Sequence, residues 1–172
     1  MGQATDIKFI VDNNVAKLAK WLRIMGYDTL LFRGRDDSEM VDIALSHDRV
    51  ILTRDTQITK RRLVSSGRLK VILIEDGNPK TQLRQVVNHL GLDCQFNPFS
   101  RCLECNQRLL TKNKEEVCNL VPPHVFQTQT QYMECPSCHN IYWRGTHWQA
   151  MNEELENLLK GNREMGDESC YC

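Results

Sequence analysis

The sequence predicts an α/β domain, a parallel sheet flanked by helices, followed by a smaller module organised by cysteines. Three observations carry that expectation. Strand-length apolar runs alternate with apolar residues at helical spacing over residues 1–91, the alternation stops at Gly91, and two Cys-x-x-Cys pairs take over beyond it. A chain of 172 residues is long enough for one buried core with a small appendage.

Residues 7–11 (IKFIV) read as a short buried strand, after which Val15, Leu18, Ala19, Leu22 and Met25 recur at helical spacing up to Gly26. A second apolar segment, residues 27–32, precedes Asp36-Asp37-Ser38-Glu39, whose acid-x-x-Glu spacing resembles a capping box ahead of Met40, Ile43 and Ala44. Residues 50–53 (VILT) give a third strand and residues 71–74 (VILI) a fourth, with a basic helix expected over 57–64 between them. Asn78-Pro79 opens a last helix over 80–90, proline being favoured at a first helical position. Strands alternating with helices imply right-handed crossovers and a largely parallel sheet covered on both faces.

Beyond Gly91 the punctuation is Asn97-Pro98 and Pro122-Pro123, with strands expected near 131–133 and 140–143 and a helix over 146–159. The expected division is 1–91 for the α/β domain, 92–160 for the second module and 161–172 for a disordered tail. The zero net charge hides an asymmetry: residues 1–91 carry 15 Lys and Arg against 11 Asp and Glu, and residues 92–172 carry 7 against 11. The acidic end reads as a solvated terminus.

No apolar run is long enough to cross a membrane, and the opening MGQATDIKF lacks the basic and apolar parts of an export signal. A cytoplasmic protein is expected, where eight cysteines are more readily metal ligands than disulfides. Cys102-Leu103-Glu104-Cys105 and Cys135-Pro136-Ser137-Cys138, 29 residues apart, supply four soft thiolates to a structural zinc ion in a zinc ribbon. The polar segment between the pairs is expected to depend on the metal for its order. A redox dithiol would need one such pair in a thioredoxin-like setting, which is absent here. Cys118, His139 and His147 are possible substitute ligands, and Cys170 and Cys172 lie in the tail, where nothing fixes their geometry.

Acids stand just past three strands: Asp12 after the first, Asp55 after the third, Glu75 and Asp76 after the fourth, with Asp36, Asp37 and Glu39 in the loop after the second. In a parallel sheet these ends share one edge, where open α/β sheets bind ligands. Carboxylates held together repel unless a divalent cation neutralises them, and oxygen ligands suit magnesium or manganese. Such a site can hydrolyse a phosphodiester. The competing explanation is that Asp12 and Asp37 merely cap the helices they precede. Arg54 and Lys60-Arg61-Arg62 lie near Asp55 in sequence, with Arg33, Arg35, Arg68 and Lys70 elsewhere on the domain, and suit a nucleic-acid backbone or a solvated helix face. Tyr142, Trp143, Arg144, His147 and Trp148 follow the second knuckle and could stack on unpaired bases or pack the ribbon against the α/β domain. The zinc module is expected to act as a clamp that sets this surface beside the acidic edge.

Five segments in order, VDNNVAKLAKWLRIMGYDT, DDSEMVDIA, VILTRD, FSRCLECN and ECPSCHNIYWRGTHWQAM, resemble the Mut-seven-C ribonuclease-like family, a PIN-like domain fused to a zinc ribbon. The resemblance covers roughly residues 7–151. It implies a metal-dependent ribonuclease in which Asp12, Asp37 and Asp55 hold magnesium or manganese, Glu39 is a further candidate, and Asp76 is the convenient occupant of a fourth acidic position. Water attack on the phosphodiester would leave a 5′-phosphate. The resemblance also implies an alternative, because the family occurs as a non-catalytic RNA-binding module attached to 3′–5′ exoribonucleases. Met1 stands a few residues before the first strand, so the chain reads as a free-standing form, though a piece excised from a longer protein would read the same. A phosphoacceptor receiver domain shares the strand-end aspartates, but it needs a paired acid where this chain has Asn13 and leaves the ribbon unexplained.

Overall fold

The computed structural model describes residues 7–160, apart from the side chains of His147 and of residues 158–160. The expected tail at 161–172, with Cys170 and Cys172, lies outside the described residues, as does the side chain proposed as a ligand at His147. The chain forms two compact units that divide between Asn106 and Gln107. The helical and strand periodicity does end at Gly91, which caps the last helix of the first unit in a left-handed conformation (φ 61°). Residues 92–106 nevertheless belong with that unit.

In the first unit the strands are β1 (Lys8–Asp12), β2 (Thr29–Phe32), β3 (Arg49–Thr53) and β4 (Val71–Leu73), all parallel, in the order β2-β1-β3-β4. A 3₁₀ turn at Asn13–Val15 leads into α1 (Ala16–Ile24), and α2 (Asp37–Ser46) links β2 to β3. The basic segment expected as one helix over 57–64 is two single turns, α3 (Thr56–Thr59) and α4 (Arg62–Ser65). Its apolar residues explain the break: Ile58 and Leu63 are five positions apart, so a continuous helix would turn one of them away from the core that both reach. The last helix is α5 (Pro79–Leu90), with Pro79 at its first turn and the Asn78 side chain accepting from the Lys80 amide at 2.9 Å.

Ile10 and Ile51 point to one face of the sheet, where they meet Met40, Val41 and Ala44 of α2 and Ile58 of α3. The alternate residues of β1, Phe9 and Val11, are equally buried. Both faces are therefore covered, and helices α1 and α5 pack together. Right-handed crossovers require this arrangement, because the chain moves outward from β1 in both directions and the connecting helices fall on opposite faces.

The second unit is described by itself. It holds β5 (Leu110–Lys112), a 3₁₀ turn at Glu115–Val117, α6 (Pro123–Thr128), β6 (Tyr132–Glu134), β7 (Ile141–Trp143) and α7 (Thr146–Lys160). The three strands form an antiparallel sheet in the order β5-β6-β7. The segment between the cysteine pairs is not coreless, contrary to its polar composition: Val117, Val121, Val125 and Tyr132 are buried together, with Phe126, Ile141 and Trp143 against them. No helix among the described residues is long and apolar enough to cross a membrane.

Candidate active site and metal centre

Strand order fixes where the acids fall. The chain reverses its direction of travel between β1 and β3, and ligands of open parallel sheets bind at the carboxyl ends flanking such a switch point. Asp12 ends β1 on one side, and on the other Thr53 ends β3 with Asp55 just beyond it. Thr53 Oγ1 donates across the gap to Asp12 Oδ2 at 2.6 Å and accepts the Asp55 amide at 3.0 Å. Asn14 Nδ2 donates to the same Oδ2 at 2.6 Å.

Asp37 completes the group from the start of α2. Its carboxyl is pushed above the ordinary range by burial, then by the charges of Asp55 and Asp12, with Arg61 opposing them. Three of the expected acids thus share one field. Capping bonds are made by Asp36, which accepts the Ser38 amide at 2.8 Å, and by Asp55 of the group itself, which accepts the Gln57 amide at 2.7 Å, whereas Asp12 makes no cap bond. Asp37 lies one residue past the cap. Glu39 and Asp76 make contacts of their own. The Glu39 carboxylate lies against Gly34, 3.0 Å from where a Cβ would sit, and Asp76 Oδ1 accepts the Asn78 amide at 2.6 Å in a local turn. Asp76 instead lines a shallow hollow of about 420 Å³ with Glu75, Thr81, Arg84, Gln85 and Asn88.

The opposite edge of the sheet carries a different network. Asp28, just before β2, accepts from Arg49 Nη1 at 2.7 Å and Asn106 Nδ2 at 2.8 Å, and Asn106 Oδ1 accepts the Thr29 amide at 2.9 Å. Buried Arg23, from the end of α1, donates to the carbonyls of Thr29, Leu103 and Glu104 at 2.9, 2.7 and 3.1 Å. Arg101 Nε reaches the Gly26 carbonyl at 3.0 Å. These bonds fasten the first knuckle, residues 102–105, to the amino end of β2. The first knuckle therefore sits at the amino end of β2, the edge of the sheet opposite the strand-end acids.

Burial tends to raise the Asp28 carboxyl, but hydrogen bonds from Arg49 and Asn106 and the charges of Arg49 and Arg101 outweigh it and hold the group below its ordinary 3.8. A carboxyl depressed on folding contributes stability that is present above its unfolded pKa and lost as pH falls through the folded value. Urea midpoints should therefore drop on acidification below about pH 4, and Asp28→Asn should flatten that part of the profile while lowering stability at neutral pH.

The two knuckles are built alike. The Asn106 amide donates to the Cys102 carbonyl at 3.0 Å, and the His139 amide to the Cys135 carbonyl at 3.0 Å. Both following residues adopt left-handed backbone, Asn106 at φ 68° and His139 at φ 59°, a conformation Asn and His tolerate better than most. The second knuckle is the turn between β6 and β7, closed by the Cys135 amide on the Asn140 carbonyl at 3.0 Å. The sulfurs of Cys102, Cys105, Cys135 and Cys138 lie within 4.8 Å of one another. Zinc bound tetrahedrally at ~2.3 Å would set its sulfurs roughly 3.8 Å apart, so the thiolate set fits structural zinc. Among the described residues this is the one set of three or more potential ligands so converged. Cys118 and His139 are outside it. His139 Nδ1 instead pairs with Glu134 Oε1 at 2.8 Å. Burial, reinforced by Asp93, pushes the Cys94 thiol up to about 11, so it packs as a neutral side chain.

Of the basic and aromatic candidates, Arg54, Lys60 and Arg62 are exposed and Arg61 is half-buried, with its charge on Asp37. Trp143 packs against the core of the second unit. Arg144 lies over the Trp148 ring, 5.2 Å from its centroid, as a cation on an aromatic face. Residue-type reasoning missed Asn14, Thr53, Arg23, Asp28 and Asn106. Polar residues two positions from a candidate acid, as in Asp12-x-Asn14 and Thr53-x-Asp55, were the available signal.

A search of the curated proteins returns no match. A family model described as the Mut7-C RNAse domain matches residues 7–155, covering the strand-end acids and both cysteine pairs. With four parallel strands, flanking helices and a four-cysteine cluster over that same span, the chain belongs to the ribonuclease-related Mut7-C RNAse domain family.

Proposed function

We propose that the chain is a metal-dependent ribonuclease, cytoplasmic and acting on single-stranded RNA, whose chemistry belongs to Asp12, Asp37 and Asp55. The observation that carries this reading is the position of Asp37 at the switch point of the sheet, where burial and then the charges of Asp55 and Asp12 push its carboxyl up. Acids held near one another at a ligand-binding edge are what a divalent cation relieves, and their hard oxygens suit magnesium or manganese. Bound there, such an ion would polarise a phosphate oxygen and lower the pKa of a water.

The chain's own groups supply the rest. Asp12 keeps one oxygen toward Thr53 and Asn14, and among the described residues no group bonds its Oδ1. Asp55 spends one oxygen on its helix cap and retains the other. Arg61, with Arg54, Lys60 and Arg62 on the same segment, would hold the RNA backbone and offset the acids as phosphate approaches. Arg144 with the Trp148 face offers a stacking site for an unpaired base. Hydrolysis would leave a 5′-phosphate.

One observation favours the second reading, an RNA-binding module without chemistry: the acids do not converge as the cysteines do. Magnesium weighs against giving this too much force, because it keeps several waters and needs only one or two direct carboxylates. Cleavage of a single-stranded RNA with manganese, magnesium or chelator separates the two. Asp12→Asn should lower the metal-dependent rate by about 100-fold or more while RNA binding persists. Cleavage indifferent to chelator and to both Asp12→Asn and Asp55→Asn would leave the binding module as the function.

A further inference from the structure

Asp12 is held by a relay of fixed polarity that spans the switch point. The Arg54 amide donates to Asn14 Oδ1 at 3.2 Å, which sets the orientation of that side-chain amide and turns Nδ2 toward Asp12. From the other side the Asp55 amide donates to Thr53 Oγ1, so the single hydroxyl proton of Thr53 is directed to Asp12. Both donors end on the same atom, Oδ2, at 2.6 Å each. Thr53 is fully buried, whereas Asn14 is exposed.

We propose that Asn14 and Thr53 are positioning residues that pin Asp12 through Oδ2 and present Oδ1 to a divalent cation, an inference that rests on the ribonuclease reading above. Short charge-assisted bonds to one oxygen fix the carboxylate's rotamer and leave the other oxygen facing the edge. The same relay ties Asp12 to the backbone of Arg54 and Asp55, so it also sets the spacing of two acids contributed by different strands. Side chains in this position around a ligand change metal affinity by about 10- to 100-fold when removed.

The test uses the intact, zinc-loaded chain, so that the cysteines are occupied, and measures manganese affinity by the paramagnetic resonance signal of the free ion. Asn14→Ala and Thr53→Val should each weaken manganese binding by about 10-fold or more, whereas Thr53→Ser, which keeps the hydroxyl, should bind as the parent does. Raising manganese should restore RNA cleavage in Asn14→Ala, since the change lies in affinity for the ion. Asn14 is exposed, so Asn14→Ala decides the question even where Thr53→Val fails to fold. Unchanged manganese affinity in Asn14→Ala, alongside loss of binding in Asp12→Asn, would overturn the inference and leave the ribonuclease reading standing. Manganese binding unchanged in Asp12→Asn would overturn that reading and the inference with it.

Discussion

Removing the metal from the cysteine cluster, by a strong chelator or by Cys135→Ser, should unfold residues 107–160 cooperatively while much of the first unit's helical signal survives. Among the described residues the second unit buries a small apolar group around Val117, Val121, Val125 and Tyr132, with Leu155 also buried. So few side chains do not offset the entropy of ordering a segment of that length, and most of its folding free energy must come from zinc. Structural zinc sites supply on the order of 10 kcal/mol in small modules at neutral pH. The first unit has its own support at the knuckle, because Arg23, Asp28 and Asn106 bond residues 101–106 without help from the metal. Circular dichroism during chelation, with zinc release read by a colorimetric indicator, should show loss of the antiparallel unit first. Equal and simultaneous loss of both units would contradict this.

Gly26→Ala should be as damaging as truncating a large core side chain of the α/β unit. Gly26 has φ 94°, and a Cβ there would meet the Asn97 carbonyl oxygen at 2.1 Å. The obstacle is backbone, so no rotamer change relieves it. The segment that would have to move is hydrogen-bonded in place, with the Asn97 amide on the Met25 carbonyl at 3.2 Å and the Phe99 amide on Ile24 at 2.8 Å. A left-handed conformation alone costs a non-glycine residue about 1–2 kcal/mol, and displacing this contact adds to it. We expect about 3–5 kcal/mol in total, read as a shift in the urea midpoint. Gly67 is the control. It has φ 73° with nothing within 4 Å of a Cβ, so Gly67→Ala should cost only the conformational part. Equal costs at the two positions would show that the close approach at Gly26 contributes nothing.

The parts of the fold that were legible in the sequence are those with a strong period. Val15, Leu18 and Leu22 mark α1, and the runs ending at Asp12 and Thr53 mark β1 and β3, because burial on one stripe or both faces leaves a repeating trace. Helix α6 is hidden in the sequence because Pro122-Pro123 has the composition of a loop; yet Pro123 begins that helix, where its missing amide costs nothing. Strand β5 has three residues, two of them exposed, which is too short for alternation to register.

The candidate site divides in the same way. Asp12, Asp37 and Asp55 were legible because parallel topology places strand ends on one edge. Asn14 and Thr53 were not, because their importance lies in bonds that link residues about forty positions apart. Likewise, nothing in the spacing of Cys102 and Cys105 indicates that their knuckle is fastened at the opposite edge by Arg23 and Asp28. That placement comes from hydrogen bonds whose partners are separated by 78 to 81 residues.

The central claim is that the switch-point acids hold a divalent cation. Its most direct test is an anomalous-scattering map from crystals of the zinc-loaded chain grown with manganese. A manganese peak is expected beside the carboxylates of Asp12, Asp37 and Asp55, separate from the zinc peak at the four cysteines. Manganese absent from those carboxylates, with zinc in place at the cysteines, would contradict it.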